Sequence, residues 1–260
     1  MPRPLHPDAV SAMPRIVQLM RDNAQRPRNY RVENATQAEA TIYVYDVIGM
    51  DFWTGEGVTA INFAADLAQI TAKTVHLRIN SPGGDVFEAR AIVAAMRDKQ
   101  ASGTTFIAHV DGYAASAASV IAVNADQTLM ADGSFLMIHN AWTMAVGDKN
   151  DMTTTAVLLA KIDQTIAADY AKKSGASMAQ IAAWMDAETW FNPAEAVSAG
   201  LANIADAGAS ASSSTHWNLS AYQNAPVPAA PAPEPDDTPD YSELLAANLR
   251  HLSLLERATP

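Results

Sequence analysis

Three stretches of the chain combine side chains and backbone able to support acyl chemistry, and each lies where an apolar strand pattern gives way to a helical one. Asn80-Ser-Pro-Gly-Gly-Asp85 follows an apolar run; paired glycines let the backbone turn sharply and bare N–H groups that could hold a developing oxyanion. The same residues also fit a plain strand-to-helix turn with Asp85 as N-cap. Asp111-Gly-Tyr-Ala-Ala-Ser-Ala-Ala-Ser119 sets Ser116 among small residues, with room for a carbonyl to approach, where a helix opens and negative charge is favoured. It is not the G-x-S-x-G elbow, and Ser116 and Ser119 fit packing positions in an Ala-rich helix equally well. His139 ends the strand pattern of Phe135–Ile138, and a neutral imidazole, with a reference pKa of ~6.5, can take a hydroxyl proton at pH 7. In chain order these are an amide-rich turn, a candidate nucleophile and a candidate base. His76 and His109 lie inside strand patterns and read as packing or surface groups.

The elements that must position them alternate in period. Ile42–Ile48, Thr74–Asn80, Thr104–Val110 and Phe135–His139 read as strands; Val58–Ala72, Val86–Arg97, Ala115–Val123 and Thr153–Lys173 read as helices. This alternation predicts an α/β fold built from right-handed βαβ units. Composition changes at either end of that core. Residues 1–40 are mixed and Pro-containing and read as an N-terminal extension; 41–207 form the domain. Residues 208–240, rich in Ala, Ser and Pro, read as a linker, since such a run favours an extended, solvated chain. Residues 241–260 place Leu244, Leu245, Leu249, Leu252 and Leu255 at helical spacing, a short amphipathic helix that either docks on a partner or folds back on its own domain.

The 260 residues are 49% hydrophobic and 17% charged, enough to bury a sizeable core and incompatible with a wholly disordered chain. A net charge of −11 repels phosphate backbones and anionic membrane surfaces, so nucleic acid and membrane are not expected partners. The absence of cysteine removes thiol nucleophiles, disulfides and Cys-based metal sites. No apolar run approaches the ~20 residues of a membrane span, and the first residues lack the apolar core of a signal peptide, so a cytoplasmic location is expected.

Taken together, Ile79-Asn-Ser-Pro-Gly-Gly84, Gly112-Tyr-Ala-Ala-Ser116, Met137-Ile-His139 and Pro193-Ala-Glu-Ala-Val with Gly200-Leu201 closely resemble the ClpP family of serine peptidases, in family order and near-family spacing over roughly residues 41–206. The resemblance implies the crotonase-like ClpP fold with a protruding handle helix, here Thr153–Lys173, through which family members assemble into homo-oligomeric rings. It implies Ser116 as nucleophile, His139 as general base, and the backbone N–H groups of Gly84 and Ala117 as oxyanion hole. The family's Asp lies several residues before the P-x-E-A-V-like stretch. An ungapped alignment puts Trp184 there, a two-residue shortening puts Asp186 there, and Glu188 is the fallback; Asp186 is preferred. No metal or organic cofactor is implied.

Met185-Asp-Ala-Glu-Thr-Trp-Phe, and Tyr45-Asp-Val-Ile-Gly49 leading to Gly57-Val-Thr, look more specifically like the ClpP-related head maturation proteases of tailed phages and prophages. Those cleave scaffold and capsid proteins inside the immature procapsid. The tail suits a tether in that role, and residues 1–40, which lie outside the resemblance, read as a removable prosegment. Two other readings share the fold: a crotonase-type enzyme acting on acyl-CoA, which needs no Ser–His pair, and a catalytically silent ring-forming assembly protein.

Overall fold

Strict alternation puts every second side chain of three strands into one core. Ala40, Ile42 and Val44 of β2 (Glu39–Tyr45), Val75, Leu77 and Ile79 of β3 (Thr74–Ser81), and Phe106, Ala108 and Val110 of β4 (Thr105–Ala115) are all at most 1% exposed. The computed structural model describes residues 21–33, 36–51, 54–210 and 217–226. Two compact units are distinguished, Met1–Ala225 and Pro226–Pro260. The second, beyond Pro226, lies outside the described residues, and with it the helix expected over 241–260.

With β1 (Asn29–Glu33), β5 (Gln127–Asp132) and β8 (Ile204–Ser210), these strands form a sheet in the order β1-β2-β3-β4-β5-β8. The pairings from β2 to β8 are parallel, and β1 is antiparallel to β2. Helices α1 (Ala60–Gln69), α2 (Val86–Ala101) and α3 (Ala117–Val123) fall between successive strands, as parallel crossovers require. The α/β architecture expected from the periodicity is the one observed. Strands β1, β5 and β8, and the three-residue strand β7 (Thr189–Phe191), were not legible in the pattern. Their polar or very short sequences, such as Gln127-Thr-Leu-Met-Ala-Asp132, do not alternate cleanly.

Strand β4 changes partner along its length. Ile107–Val110 pair with β5, and Tyr113–Ala115 pair with β6 (Phe135–Ile138), which in turn pairs antiparallel with β7 (Thr189–Phe191). A register shift in β3 between Ile79 and Ser81 brings Ser81 opposite Ala114. The 11-residue β4 therefore runs five residues past the expected strand end, directly to Ser116. Helix α4 (Lys149–Ser174) begins a turn earlier than the periodicity predicted, because Asp148 and Asp151 form a reciprocal capping box. Only its C-terminal half is seated, through Ile166, Ala167, Asp169 and Tyr170. Arg90 and Arg97 of α2 both pair with Asp169 and lock that half down. Helices α5 (Met178–Asp186) and α6 (Pro193–Ser198) complete the described part, α6 opened by a second capping box from Asn192 and Glu195.

Both expected domain boundaries shift. Within the segment read as an extension, Asn29–Glu33 is a sheet strand, and the Arg28 guanidinium is buried against Asp46 at 2.6 Å and Asp51 at 3.0 Å. Within the segment read as a linker, Trp217, Leu219 and Tyr222 pack with Ala115 and Met137 in a second buried cluster. Composition misled here: three apolar side chains spaced through a polar stretch suffice to dock it, whatever the Ala, Ser and Pro around them favour.

Candidate active site

The nucleophile candidate sits on a strained corner. Ser116 follows the last residue of β4 and is the N-cap of α3, with φ 54 and ψ −124. Among the described residues, only Ser116 and Glu188 are non-glycine residues with positive φ, and both belong to this site. Such strain costs on the order of 1–3 kcal/mol and persists only where the surroundings over-determine it. Here the surroundings are the buried small residues Ala114, Ala115, Ala117 and Ala118, and the Ser116 N–H bond to the Met137 carbonyl. The corner has the strained strand-to-helix geometry of a nucleophile elbow without that motif's glycines.

The turn Pro82-Gly-Gly84 lies against this corner. A Cβ on Gly83 would stand 2.7 Å from Ser116 Cβ and 2.6 Å from the Ala115 oxygen, and one on Gly84 would stand 2.0 Å from the Ile48 oxygen. A side chain at Gly83 would push the turn off the corner, and one at Gly84 would push it off Ile48. The turn is pinned from the other side by Ile48, whose N–H donates to Gly83 O and whose carbonyl accepts from Asp85 N–H. Asp85 caps α2 through Phe87 and Glu88 N–H, as the sequence allowed. Ala117 is the first residue of α3, so its N–H has no acceptor within the helix.

His139 leaves β6 with Nε2 2.7 Å from Ser116 Oγ. Burial pushes its pKa down to about 4, opposed by the Glu188 charge. The imidazole is therefore neutral and proton-accepting across the neutral range. Asp186 is not brought to it: its carboxylate accepts from the Asn140 amide at 2.7 Å. Glu188, two residues on, is the carboxylate whose charge reaches the imidazole. Its Oε1 accepts from the Asn224 N–H at 2.7 Å and the Trp190 indole at 3.3 Å. Helix α5 ends at Asp186 and the chain turns through the left-handed Glu188 into β7, which aims the later acid inward.

These groups line a cleft of about 450 Å³. Gly83, Gly84, Ser116, Ala117 and His139 form one wall, and Val120, Leu158, Ile162, Ile166 and Tyr170 give an apolar one. The Tyr170 hydroxyl bonds Ser119 Oγ at 2.7 Å, and Ser119 Oγ donates to the Ser116 carbonyl at 2.6 Å, so the cleft floor is tied to the corner. His76 and His109 meet each other across β3 and β4 at 2.9 Å.

The Clp protease family profile matches residues 25–206. The chain belongs to the Clp protease family. That family is one of peptidases, and its match begins well before the boundary at 41 expected from the sequence. ATP-dependent Clp protease proteolytic subunits of Streptococcus pneumoniae strains Hungary19A-6 and CGSP14 are 31% identical over 137 residues, 51% of this chain and 68% of theirs. The structure is similar to that of a ClpP1 point mutant from Listeria monocytogenes, with TM-score 0.55 and 20% identity over 65% of this chain and 91% of that one. The fold is the Clp protease fold. Among the described residues, no helix is long and apolar enough to cross a membrane. Trp217, Tyr222 and Asn224, which border the site, lie past the end of the family match and were passed over in the sequence. The available signal was two large aromatics in an otherwise small, polar stretch.

Proposed function

We propose that this Clp-family member is a serine endopeptidase acting without its own ATP hydrolysis. Ser116 is the nucleophile, His139 the general base, and the N–H groups of Gly84 and Ala117 the oxyanion hole. The carrying observation is the 2.7 Å approach of Ser116 Oγ to a neutral His139 Nε2 on a strained corner that opens into a cleft. His139 takes the hydroxyl proton as Ser116 Oγ attacks the peptide carbonyl, and the protonated imidazole then gives that proton to the leaving amine. Water, deprotonated by His139, releases the acyl group from Ser116. Glu188, rather than Asp186, steadies the imidazolium, since its charge is the one that acts on the ring. The apolar wall of Val120, Leu158 and Ile162 suits a large apolar side chain next to the scissile bond. The chemistry uses no metal or organic cofactor.

The finer role proposed is maturation of phage or prophage heads by cleavage of scaffold and capsid proteins. It is supported by the resemblance of Met185–Phe191 and Tyr45–Gly49 to those proteases. Ring assembly through α4 is proposed with it, supported by the exposed apolar residues Val157 and Leu158 on the unseated half. Labelling with a fluorophosphonate serine probe, read by intact mass, tests the chemistry: one adduct is expected on the native chain and none on Ser116→Ala. Absence of an adduct on a folded native chain would overturn it. Co-expression with phage scaffold and capsid proteins, with Ser116→Ala as control, tests the role.

A further inference from the structure

The segment 217–225 lies outside the Clp family match and carries an aromatic ring that touches both the imidazole and the glycine turn. Tyr222 is buried, with its ring edge-on to His139 at 5.5 Å and to Trp190 at 5.7 Å between centroids. Its hydroxyl donates to the Pro82 carbonyl at 2.8 Å, and with Ser116 it lines the cleft. Burial and the Glu188 charge raise its pKa well above the ordinary tyrosine range, so it remains a donor. Two neighbours extend the same hold. The Trp217 indole donates to the Asn80 carbonyl at 2.9 Å, at the start of the glycine turn. The Asn224 backbone N–H binds Glu188 Oε1, and its side-chain amide binds the Ala187 carbonyl at 2.8 Å, across the residue held in a left-handed conformation.

We infer that Tyr222 is a positioning residue for the proposed peptidase reaction, fixing the glycine turn and the imidazole relative to Ser116, and that 217–225 is a built-in part of the active site rather than tail. The alternative, a strap that blocks the cleft, fits the geometry less well. Ser116 and His139 remain partly exposed beside Tyr222, and the cleft stays open with Tyr222 as one of its walls. The inference rests on the serine-peptidase reading, but its geometry can be tested apart from activity.

Two readouts on the full chain do so. The first is the rate of fluorophosphonate labelling of Ser116. Tyr222→Phe keeps the ring and loses the bond to Pro82, and should slow labelling about tenfold while lowering the melting temperature by only a few degrees. Tyr222→Ala should slow it further. The second is the imidazole titration of His139 by NMR. The groups facing that ring are Ser116, Glu188 and Tyr222; Asp186 and Asp163 face its chain neighbours, on Asn140 and the Ala141 N–H. Tyr222→Ala admits water to the ring and should raise the midpoint by about one unit from its low native value, whereas Tyr222→Phe should leave it in place. Faster labelling in Tyr222→Ala would make the segment an obstruction and overturn the inference, as would unchanged rates and titration in both variants. If neither the native chain nor any variant labels, the peptidase reading falls; the His139 shift in Tyr222→Ala then still decides whether Tyr222 shapes the imidazole's surroundings.

Discussion

Ser116 and the glycine turn stand at the ends of β4 and β3, adjacent parallel strands inside the sheet, whereas His139, Glu188 and Tyr222 arrive from three separate stretches around β6 and β7. In the first region the geometry is set by steric exclusion. Buried alanines and two glycines leave the backbone one place to go, and a methyl group at Gly84 would overlap the Ile48 carbonyl. In the second, geometry is set by hydrogen bonds and ring contacts between segments far apart in sequence, such as Asn224 with Glu188 and Tyr222 with Pro82. A site half built by exclusion and half by polar contacts should fail differently on its two sides: abruptly where atoms overlap, gradually where a bond is lost.

The largest effect sharpens the first region. Ser116→Ala should abolish probe labelling and lower peptide hydrolysis by at least about 10³-fold with the fold retained, as circular dichroism and turnover will show. Next, Gly84→Ala should lower activity by about 10²-fold, since a displaced turn loses one oxyanion donor. A variant with near-native activity would break the claim that exclusion rules there. On the second side, Glu188→Gln should slow acylation by about tenfold to a hundredfold and lower the His139 midpoint further, because the one charge that raises it is removed. Asp186→Asn should change activity less than about threefold, since its partner is Asn140. If the two acid variants exchanged their effects, Asp186 would be the orienting acid and the comparison would need redrawing.

The pH dependence follows from His139 with its sign worked out. Its folded pKa, about 4, lies below the ~6.5 of an unfolded histidine, so the unfolded chain takes up the proton first as pH falls. The stability contributed by the neutral buried ring is fully present above pH ~6.5 and is lost as pH falls toward about 4. Labelling of Ser116 should accordingly hold its rate through pH 6 and fall with a midpoint nearer 4 than 6.5. His139→Gln should flatten the corresponding limb in thermal unfolding.

The same contrast accounts for what could be read from the residues. Ser116 and His139 stood out because strand ends and small-residue motifs mark them locally, on a sheet whose alternation is clear in β2, β3 and β4, while Gly84 and Ala117 were named through the family resemblance. The acid was not legible, because choosing between Asp186 and Glu188 depends on where α5 ends and which way one left-handed residue turns the chain. Tyr222 was invisible for a different reason. Its hydroxyl donates to the Pro82 carbonyl, as the Trp217 indole donates to that of Asn80, and every residue possesses such an oxygen, so nothing at either position advertises a need for these rings. The α4 start was missed because a two-aspartate cap extends a helix without adding apolar residues.

Arg28 sets a limit on how far this chain can be shortened. Its guanidinium supplies the positive charge to Asp46 and Asp51, both nearly shielded from water, and faces the exposed Glu56 as well. A cut on the N-terminal side of Arg28 leaves that balance untouched. A cut beyond it removes the buried cation that both carboxylates face, a loss on the order of 3–5 kcal/mol where one partner of such a pair is removed. That is a large share of what typically holds a domain together. Any maturation that clips the front of the protein must therefore stop before residue 28, and a protease that overran it would be dismantling its own product.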